Sequence, residues 1–281
     1  MSKAIARRAE AGPDRALPAG QEATAPPAPF RPLLAVVSGV ELCLLALLTI
    51  APLAGLHQTI SPLARAWPWL LAPAHAIFGN AAVDGEVSAE RGWPALVLFA
   101  ALLVVASAVA ALALPICRRD PASDRRHLTL ALGGAALLGL TLLLLPSLPS
   151  GDVFSYILYG RISVIHHANP LVVAPSAFPG DHFLPLVYWS GVRSVYGPVW
   201  LLASALVTLI AEALGGALAT YVLLFKLLGL GAHLANAALI WAILTRIAPR
   251  RRLLGILLYA WNPLCLLEFC ASAHNDALML T

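Results

Sequence analysis

The stretch Thr220–Thr245, TYVLLFKLLGLGAHLANAALIWAILT, decides the fold class, because it is a long apolar run with few interruptions. About 20 mostly apolar residues are enough for an α-helix to cross the roughly 30 Å of bilayer hydrocarbon. Four further stretches pass the same test: Leu33–Leu56, Pro94–Cys117, Leu128–Pro146 and Leu253–Ala271. The sequence therefore predicts an all-α, polytopic bundle of transmembrane helices.

The composition of the whole chain agrees with a membrane protein. Of its 281 residues, 60% are hydrophobic and only 11% are charged, whereas soluble domains carry about 25% charged residues. The net charge of +4 fits Lys and Arg retained on one side of a bilayer, so no nucleic-acid partner is predicted. The four cysteines show no CxxC spacing, which indicates neither a zinc site nor a disulfide framework.

The distribution of cations predicts the orientation of the chain. Thirteen of the 18 Lys and Arg residues fall in three clusters: Lys3, Arg7, Arg8, Arg15 and Arg31; Arg118, Arg119, Arg125 and Arg126; Arg246, Arg250, Arg251 and Arg252. The positive-inside rule places all three clusters, and with them the N-terminus, in the cytoplasm. A sixth apolar segment, Gly197–Leu214, should then not cross, and would be a juxtamembrane helix in a long extracytoplasmic loop, about 147–219. The alternative is that it does cross and leaves four Arg outside.

Three regions are predicted along the chain. Residues 1–32 form an Ala- and Pro-rich tail, which we expect to be disordered and cytoplasmic. Residues 33–127 supply two transmembrane helices with their loops, and residues 128–281 are expected to be the N-terminal part of a catalytic membrane domain. Because Leu278–Thr281 looks like the start of another span, we expect the sequence to be truncated.

Asp152 is the first candidate for catalysis, because it follows the third span and should lie at the membrane surface. A half-hydrated carboxylate there suits a general base for a hydroxyl group. Asp152 and Tyr156 share one helix face at this spacing. The competing interpretation is an N-cap, since Asp is a favoured capping residue. Arg161 is a candidate for binding phosphate oxygens, and its alternative role is snorkelling to lipid headgroups.

Further polar groups interrupt the apolar second half of the chain. His166 and Asn169 belong to a short polar segment. This segment suits proton transfer or phosphate contact, or else it is a surface loop. Tyr196 precedes Gly197-Pro198 at a helix start. His274, Asn275 and Asp276 follow the last full span, where they would line a substrate pocket or cap a turn between two spans. Under the predicted topology, all these groups converge on the extracytoplasmic face.

The order of these motifs resembles the N-terminal half of membrane-embedded GT-C glycosyltransferases. The motifs are Asp152-Val153-Phe154-Ser155-Tyr156, Gly160, Asn169-Pro170, Tyr196-Gly197-Pro198, Asn262-Pro263-Leu264 and His274-Asn275-Asp276-Ala277-Leu278-Met279. They are most similar to the polyprenol-phosphate-mannose-dependent alpha-1,6-mannosyltransferases of actinobacterial cell-envelope assembly. The sequence departs from that family at Ala273, where Gly is usual, and at Leu171, where an aromatic residue is usual.

The resemblance implies an inverting transfer of a sugar, expected to be mannose, from a polyprenyl phosphate in a plasma or inner membrane to a glycolipid or polysaccharide at the extracytoplasmic face. Asp152 matches the catalytic carboxylate of the family. The residues around it that would contact the donor phosphate and the substrate are Tyr156, Arg161, His166, Asn169, Tyr196, His274, Asn275 and Asp276. No cofactor and no protein-bound metal is predicted, because Asp276 alone supplies too few oxygen ligands for a hard cation. A divalent-metal requirement is left to experiment. The alternatives are a transporter or flippase for a lipid-linked or polar substrate and a non-catalytic fragment.

Overall fold

A computed structural model describes residues 30–58, 60–85, 89–119 and 125–281. The tail predicted for residues 1–32 lies almost wholly outside the described residues, as do the cations Lys3 to Arg15. The described helices are α1 (Phe30–Ile50), α2 (Pro62–Ala66), α3 (Ala72–Phe78), α4 (Asn80–Val83), α5 (Ala89–Ala111), α6 (Ala113–Arg119), α7 (Arg125–Leu143), α8 (Asp152–Val164), α9 (Pro198–Ala213), α10 (Leu218–Ile247), α11 (Arg252–Ala260), α12 (Pro263–Leu266), a π-helix (Leu267–Ala271) and α13 (Asp276–Leu280). Short 3-10 turns connect them at Ala51–Leu53, Pro68–Leu71, Pro175–Ala177, Leu184–Leu186 and Pro249–Arg251.

The predicted all-α membrane bundle is confirmed. Among the described residues, four stretches are long and apolar enough to cross a bilayer: Phe30–Leu53, Gly92–Cys117, Arg125–Leu143 and Leu218–Ile247. A fifth crossing results if the bent pair Pro249–Ala260 and Pro263–Ala271 is one span. Strands are absent from the described ranges, where extended pairing is limited to the bridge between Gln58 and Leu148.

The last predicted span is broken at Asn262-Pro263. Its two parts meet at 48°, because a proline inside a helix removes a hydrogen bond and clashes with the preceding turn. Asn262 repairs the break, since its Oδ1 accepts a hydrogen bond from the Leu264 N–H at 3.0 Å. After this break the chain continues into a π-helix, a feature that is frequent at functional sites.

Three polar residues inside the bundle contact main-chain carbonyl groups of other helices. Lys226, His233 and Asn236 lie along α10, and each is buried. Lys226 Nζ donates to the Leu143 carbonyl at the end of α7 (3.0 Å), and Asn236 Nδ2 donates to the Ala277 carbonyl in α13 (2.7 Å). His233 Nε2 lies 3.1 Å from the Ala260 carbonyl at the end of α11. A carbonyl freed by a helix break is costly in hydrocarbon unless a neighbouring side chain satisfies it; this explains the intramembrane polar residues.

The cationic clusters of the described chain lie at one end of the bundle. Helices α7 and α10 run antiparallel, because Leu143 meets Lys226 while Gly139 packs on Leu230. Arg125 at the start of α7 and Arg246 near the end of α10 are therefore at the same end. The chain between α7 and α8 emerges at the opposite end.

A second apolar core occupies that opposite end. It contains residues of α2 to α4, α8, α9 and the first turns of α10, separate from the core shared by α1, α5, α7 and α11. Helices α8 and α9 cross closely at Gly160, where a Cβ would overlap the Ser204 carbonyl. Both ends of α9 stay at this end of the molecule, since Trp200 packs on Tyr156 and Glu212 contacts Arg161. Helix α9 has 16 residues and, at about 24 Å, is shorter than the four long helices.

Candidate active site

Asp152 is the first residue of α8, and Gly151 rather than Asp152 occupies the N-cap position. The capping interpretation of Asp152 is therefore wrong. Its backbone N–H donates to Ser150 Oγ at 3.2 Å, which fixes the start of the helix. The carboxylate is 41% exposed.

A chain of ionisable groups leads from the π-helix to Asp152. Glu268 Oε2 lies 2.6 Å from His274 Nδ1, and His274 Nε2 lies 3.5 Å from Asp152 Oδ2. The hydrogen bond that His274 donates to Glu268 raises the pKa of His274 above its ordinary value, against the desolvation that lowers it. His274 Nε2 is buried and has no hydrogen-bond partner among the described residues. An imidazolium at this point would have one N–H to offer to a bound anion.

A tyrosine and asparagine pair borders Asp152 on its buried side. Tyr156 Oη donates to Asn275 Oδ1 at 3.4 Å, and the ring of Tyr196 packs edge-on against Tyr156 with centroids 5.1 Å apart. Desolvation is the main reason that the pKa of both tyrosines lies above the ordinary value; Tyr196 and then the charge of Asp152 raise the pKa of Tyr156 further, and Asp152 also raises that of Tyr196. The two phenols are thus neutral hydrogen-bonding groups at neutral pH. Asp276 is exposed in the first turn of α13.

The backbone at Ala273 explains the glycine that the resemblance leads one to expect there. Ala273 has a φ of 59°, in the left-handed region that glycine adopts without steric cost. This turn reverses the chain between the π-helix and α13, and so brings His274 back toward Glu268. Alanine accepts the same turn at a modest energetic cost.

Residues of this group line two separate concave regions. A cavity of about 350 Å³ is lined by polar and aromatic groups: His57, Pro149, Ser150, Gly151, Asp152, Ser155, Tyr188 and Trp189. A groove of about 380 Å³ is lined mostly by apolar groups: Val195, Tyr196, Gly197, Pro198, Val199, Trp200, Asn275, Leu278 and Met279. Within the described ranges, no group of three His, Cys, Asp or Glu side chains is arranged as metal ligands.

The comparisons with known proteins decide the family. A family model described as alpha-(1->6)-mannopyranosyltransferase, N-terminal domain, matches residues 81–281. The chain belongs to this family. It is therefore a glycosyltransferase, and the family supports an alpha-mannosyltransferase activity, in agreement with the resemblance and against the transporter interpretation. No curated protein and no solved structure matches the chain.

Two expected phosphate ligands of this mannosyltransferase lie in a different cluster. Arg161 is buried; its Nε donates to Asp181 Oδ2 at 2.9 Å and its Nη1 to Glu212 Oε1 at 2.7 Å. His166 Nε2 lies 2.8 Å from the same Asp181 oxygen. Arg161 is also nine helical residues beyond Asp152, roughly 13 Å along the axis. Because protein carboxylates already hold both side chains, neither Arg161 nor His166 is included among the phosphate-binding groups proposed below.

The ion cluster fastens the long loop of the mannosyltransferase to its helices. Asp181 lies in the loop between α8 and α9, and its buried carboxylate also accepts the Phe183 N–H. Desolvation opposes the charged form of Asp181, but its bonds to His166, Phe183 and Arg161 hold its pKa below the ordinary value. Asn169, the third expected contact in this region, accepts the Leu171 N–H within its own turn.

Two contributors to the site were not among the predicted site residues. Glu268 is one of them, although its six-residue separation from His274 across a helix break is a usable signal in the sequence. His57 lies in the loop after α1, and a Cβ on Gly151 would overlap its imidazole. Because nothing in the sequence around His57 forms a motif, its position next to Asp152 depends on tertiary structure.

Proposed function

We propose that this mannosyltransferase moves mannose from a polyprenyl-phosphate donor to a glycolipid or polysaccharide at the extracytoplasmic face, with inversion and with Asp152 as general base. The observation that carries the proposal is that Asp152 lines a polar cavity, while Tyr156, one turn along α8, contacts Tyr196 and Asn275, which line an apolar groove. A donor with a lipid tail and a sugar head requires both environments. The reacting bond would lie beside Asp152, between the two regions.

In the proposed reaction each residue performs the step that its functional group allows. Asp152 takes the proton of an acceptor hydroxyl as the oxygen bonds to the anomeric carbon. The bond from that carbon to the phosphate oxygen breaks, and polyprenyl phosphate leaves as an anion. A single displacement of this kind inverts the anomeric configuration. The imidazolium of His274 offers Nε2–H to the departing phosphate, and a positioned cation there stabilises the developing charge.

The proposed face of the membrane rests on the two ends of the bundle. Asp152 lies at the end remote from Arg125 and Arg246, and the positive-inside rule assigns the Arg-rich end to the cytoplasm. The donor phosphate would then be presented outside the cytoplasm. The boundaries of the three predicted regions stay a prediction, as does the non-crossing course of α9, which its contacts with α8 support.

A transfer assay tests the proposed function. Membranes that contain the protein are incubated with radiolabelled polyprenyl-phosphate mannose, and the extracted products are separated. We expect label in a glycolipid or polysaccharide fraction, and no transfer from GDP-mannose when synthesis of the lipid-linked donor is blocked. Transfer directly from the nucleotide sugar would refute the lipid-linked donor. A parallel incubation with EDTA shows whether a divalent metal is needed.

A further inference from the structure

The cavity beside Asp152 has no assigned ligand, and its lining suits a carbohydrate. Its walls include the exposed aromatic pair Tyr188 and Trp189, whose ring centroids are 4.8 Å apart, and the hydroxyls of Ser150 and Ser155. Aromatic rings pack on the C–H face of a pyranose, while hydroxyls and imidazole bond to its oxygens. A volume of about 350 Å³ lies within the usual range for small-ligand sites.

One wall of this cavity comes from a part of the chain outside the family match. His57 precedes residue 81, where the match begins. Its loop is fastened beneath Asp152 by main-chain hydrogen bonds: Gln58 N–H to Leu148 O at 3.1 Å, and Leu148 N–H to Gln58 O at 2.9 Å. The same loop is tied at Ser61, whose N–H donates to Pro146 O at 2.8 Å. The imidazole of His57 therefore packs against Gly151, one residue before the proposed base.

We infer that this cavity is the acceptor subsite, which binds the sugar that carries the attacking hydroxyl, with Trp189 and His57 as specificity-determining residues. This inference rests on the proposed function, because it divides the two substrates between two regions. The apolar groove beyond Tyr196 is left to the lipid of the donor. Among the described residues that line the cavity, Asp152 is the only carboxylate, and it is the base proposed for a hydroxyl bound there.

Steady-state kinetics with octyl α-mannoside as acceptor tests this division. Trp189→Ala is expected to raise the KM for the mannoside about tenfold, and His57→Ala by about threefold, since each removes one contact with the sugar. The KM for polyprenyl-phosphate mannose should stay within twofold in both variants. Trp69→Ala is the matched control, because Trp69 is 62% exposed and Trp189 is 57% exposed, and Trp69 lies outside the cavity lining.

A labelling experiment decides the inference without relying on transfer. Tyr188 is 78% exposed, and Tyr188→Cys is labelled with a maleimide after the background from Cys43 and Cys265 is measured in the unsubstituted protein. We expect saturating octyl α-mannoside to slow the labelling at least threefold, whereas polyprenyl phosphate leaves its rate unchanged. Slowing by polyprenyl phosphate alone, or by neither compound, would overturn the acceptor assignment. Protection by the mannoside without any transfer would retain the subsite and refute the lipid-linked donor.

Discussion

Asp152→Asn is expected to reduce kcat for mannosyl transfer at least a hundredfold and by as much as ten-thousandfold. The amide has nearly the same size as the carboxylate but does not accept the proton of the attacking hydroxyl. General-base catalysis contributes about 10² to 10⁴ in rate, and the full contribution is lost here. The KM for the donor should change by less than threefold, because the lipid contacts are made by other residues. Initial rates with radiolabelled polyprenyl-phosphate mannose supply the measurement.

Two companion variants make this result specific to Asp152. Asp84→Asn changes another solvent-accessible aspartate. Asp84 lies outside the site, where its Oδ1 is 2.9 Å from His75 Nε2, and this variant should leave kcat within twofold. Asp152→Glu keeps the carboxylate but displaces it by one methylene, so an intermediate loss is expected. If Asp152→Asn retains transfer within a few-fold of the unsubstituted protein, Asp152 is not the base.

Glu268→Gln is expected to change the pH dependence of the reaction. Glu268 raises the pKa of His274, so the imidazolium persists to higher pH than it would alone. It is present below that raised pKa and is lost as the pH rises through it. Removing the carboxylate lowers the pKa of His274, and the alkaline limb of kcat should move to lower pH. At a pH where the variant has lost the imidazolium and the unsubstituted protein keeps it, we expect kcat to fall by about 100-fold, the effect of losing one positioned donor to the developing charge, with partial recovery at lower pH.

Recovery at acid pH separates an electrostatic role of Glu268 from a purely structural one. A protein that is merely destabilised would lose kcat at every pH. His274→Ala removes the titrating group itself and should give a low, pH-independent rate over the same interval. His75→Gln, a substitution at a histidine that pairs with Asp84 outside the site, should leave the profile unchanged. An unshifted alkaline limb in Glu268→Gln would contradict the assignment of His274 as the working cation.

The bundle was predictable because membrane insertion is a local requirement. Each long helix follows an apolar run of the sequence, and the ends differ only by a few residues: Thr220–Thr245 was predicted and Leu218–Ile247 is observed. The break at Pro263 and its repair by Asn262 also follow from local chemistry. The division of the molecule into two cores did not follow, because apolar residues of α8 and α9 look the same whether they face lipid or each other.

The proximity of the candidate site residues was predictable only for those that belong to a recognisable motif. Asp152, Tyr156, Tyr196, His274 and Asn275 lie together as the sequence order suggested. The ion pairs of Arg161 were not predictable, because its partners, Asp181 and Glu212, are distant in sequence and only tertiary structure brings them to it. The same limitation applies to His57. Its loop is held near Gly151 by main-chain hydrogen bonds, which do not depend on the identity of the side chains. Residues paired across elements leave no periodic signal.

The most direct test of the account is the side of the membrane on which the site opens. Val195 lines the groove and is 79% exposed, and Ile247, at the far end of α10, is 74% exposed. Cysteines at these two positions are treated with a membrane-impermeant maleimide, first in intact cells and then after permeabilisation. We predict that Val195→Cys reacts in intact cells and that Ile247→Cys reacts only after permeabilisation. The reverse pattern would put Asp152 in the cytoplasm and contradict transfer from a lipid-linked sugar at the outer face.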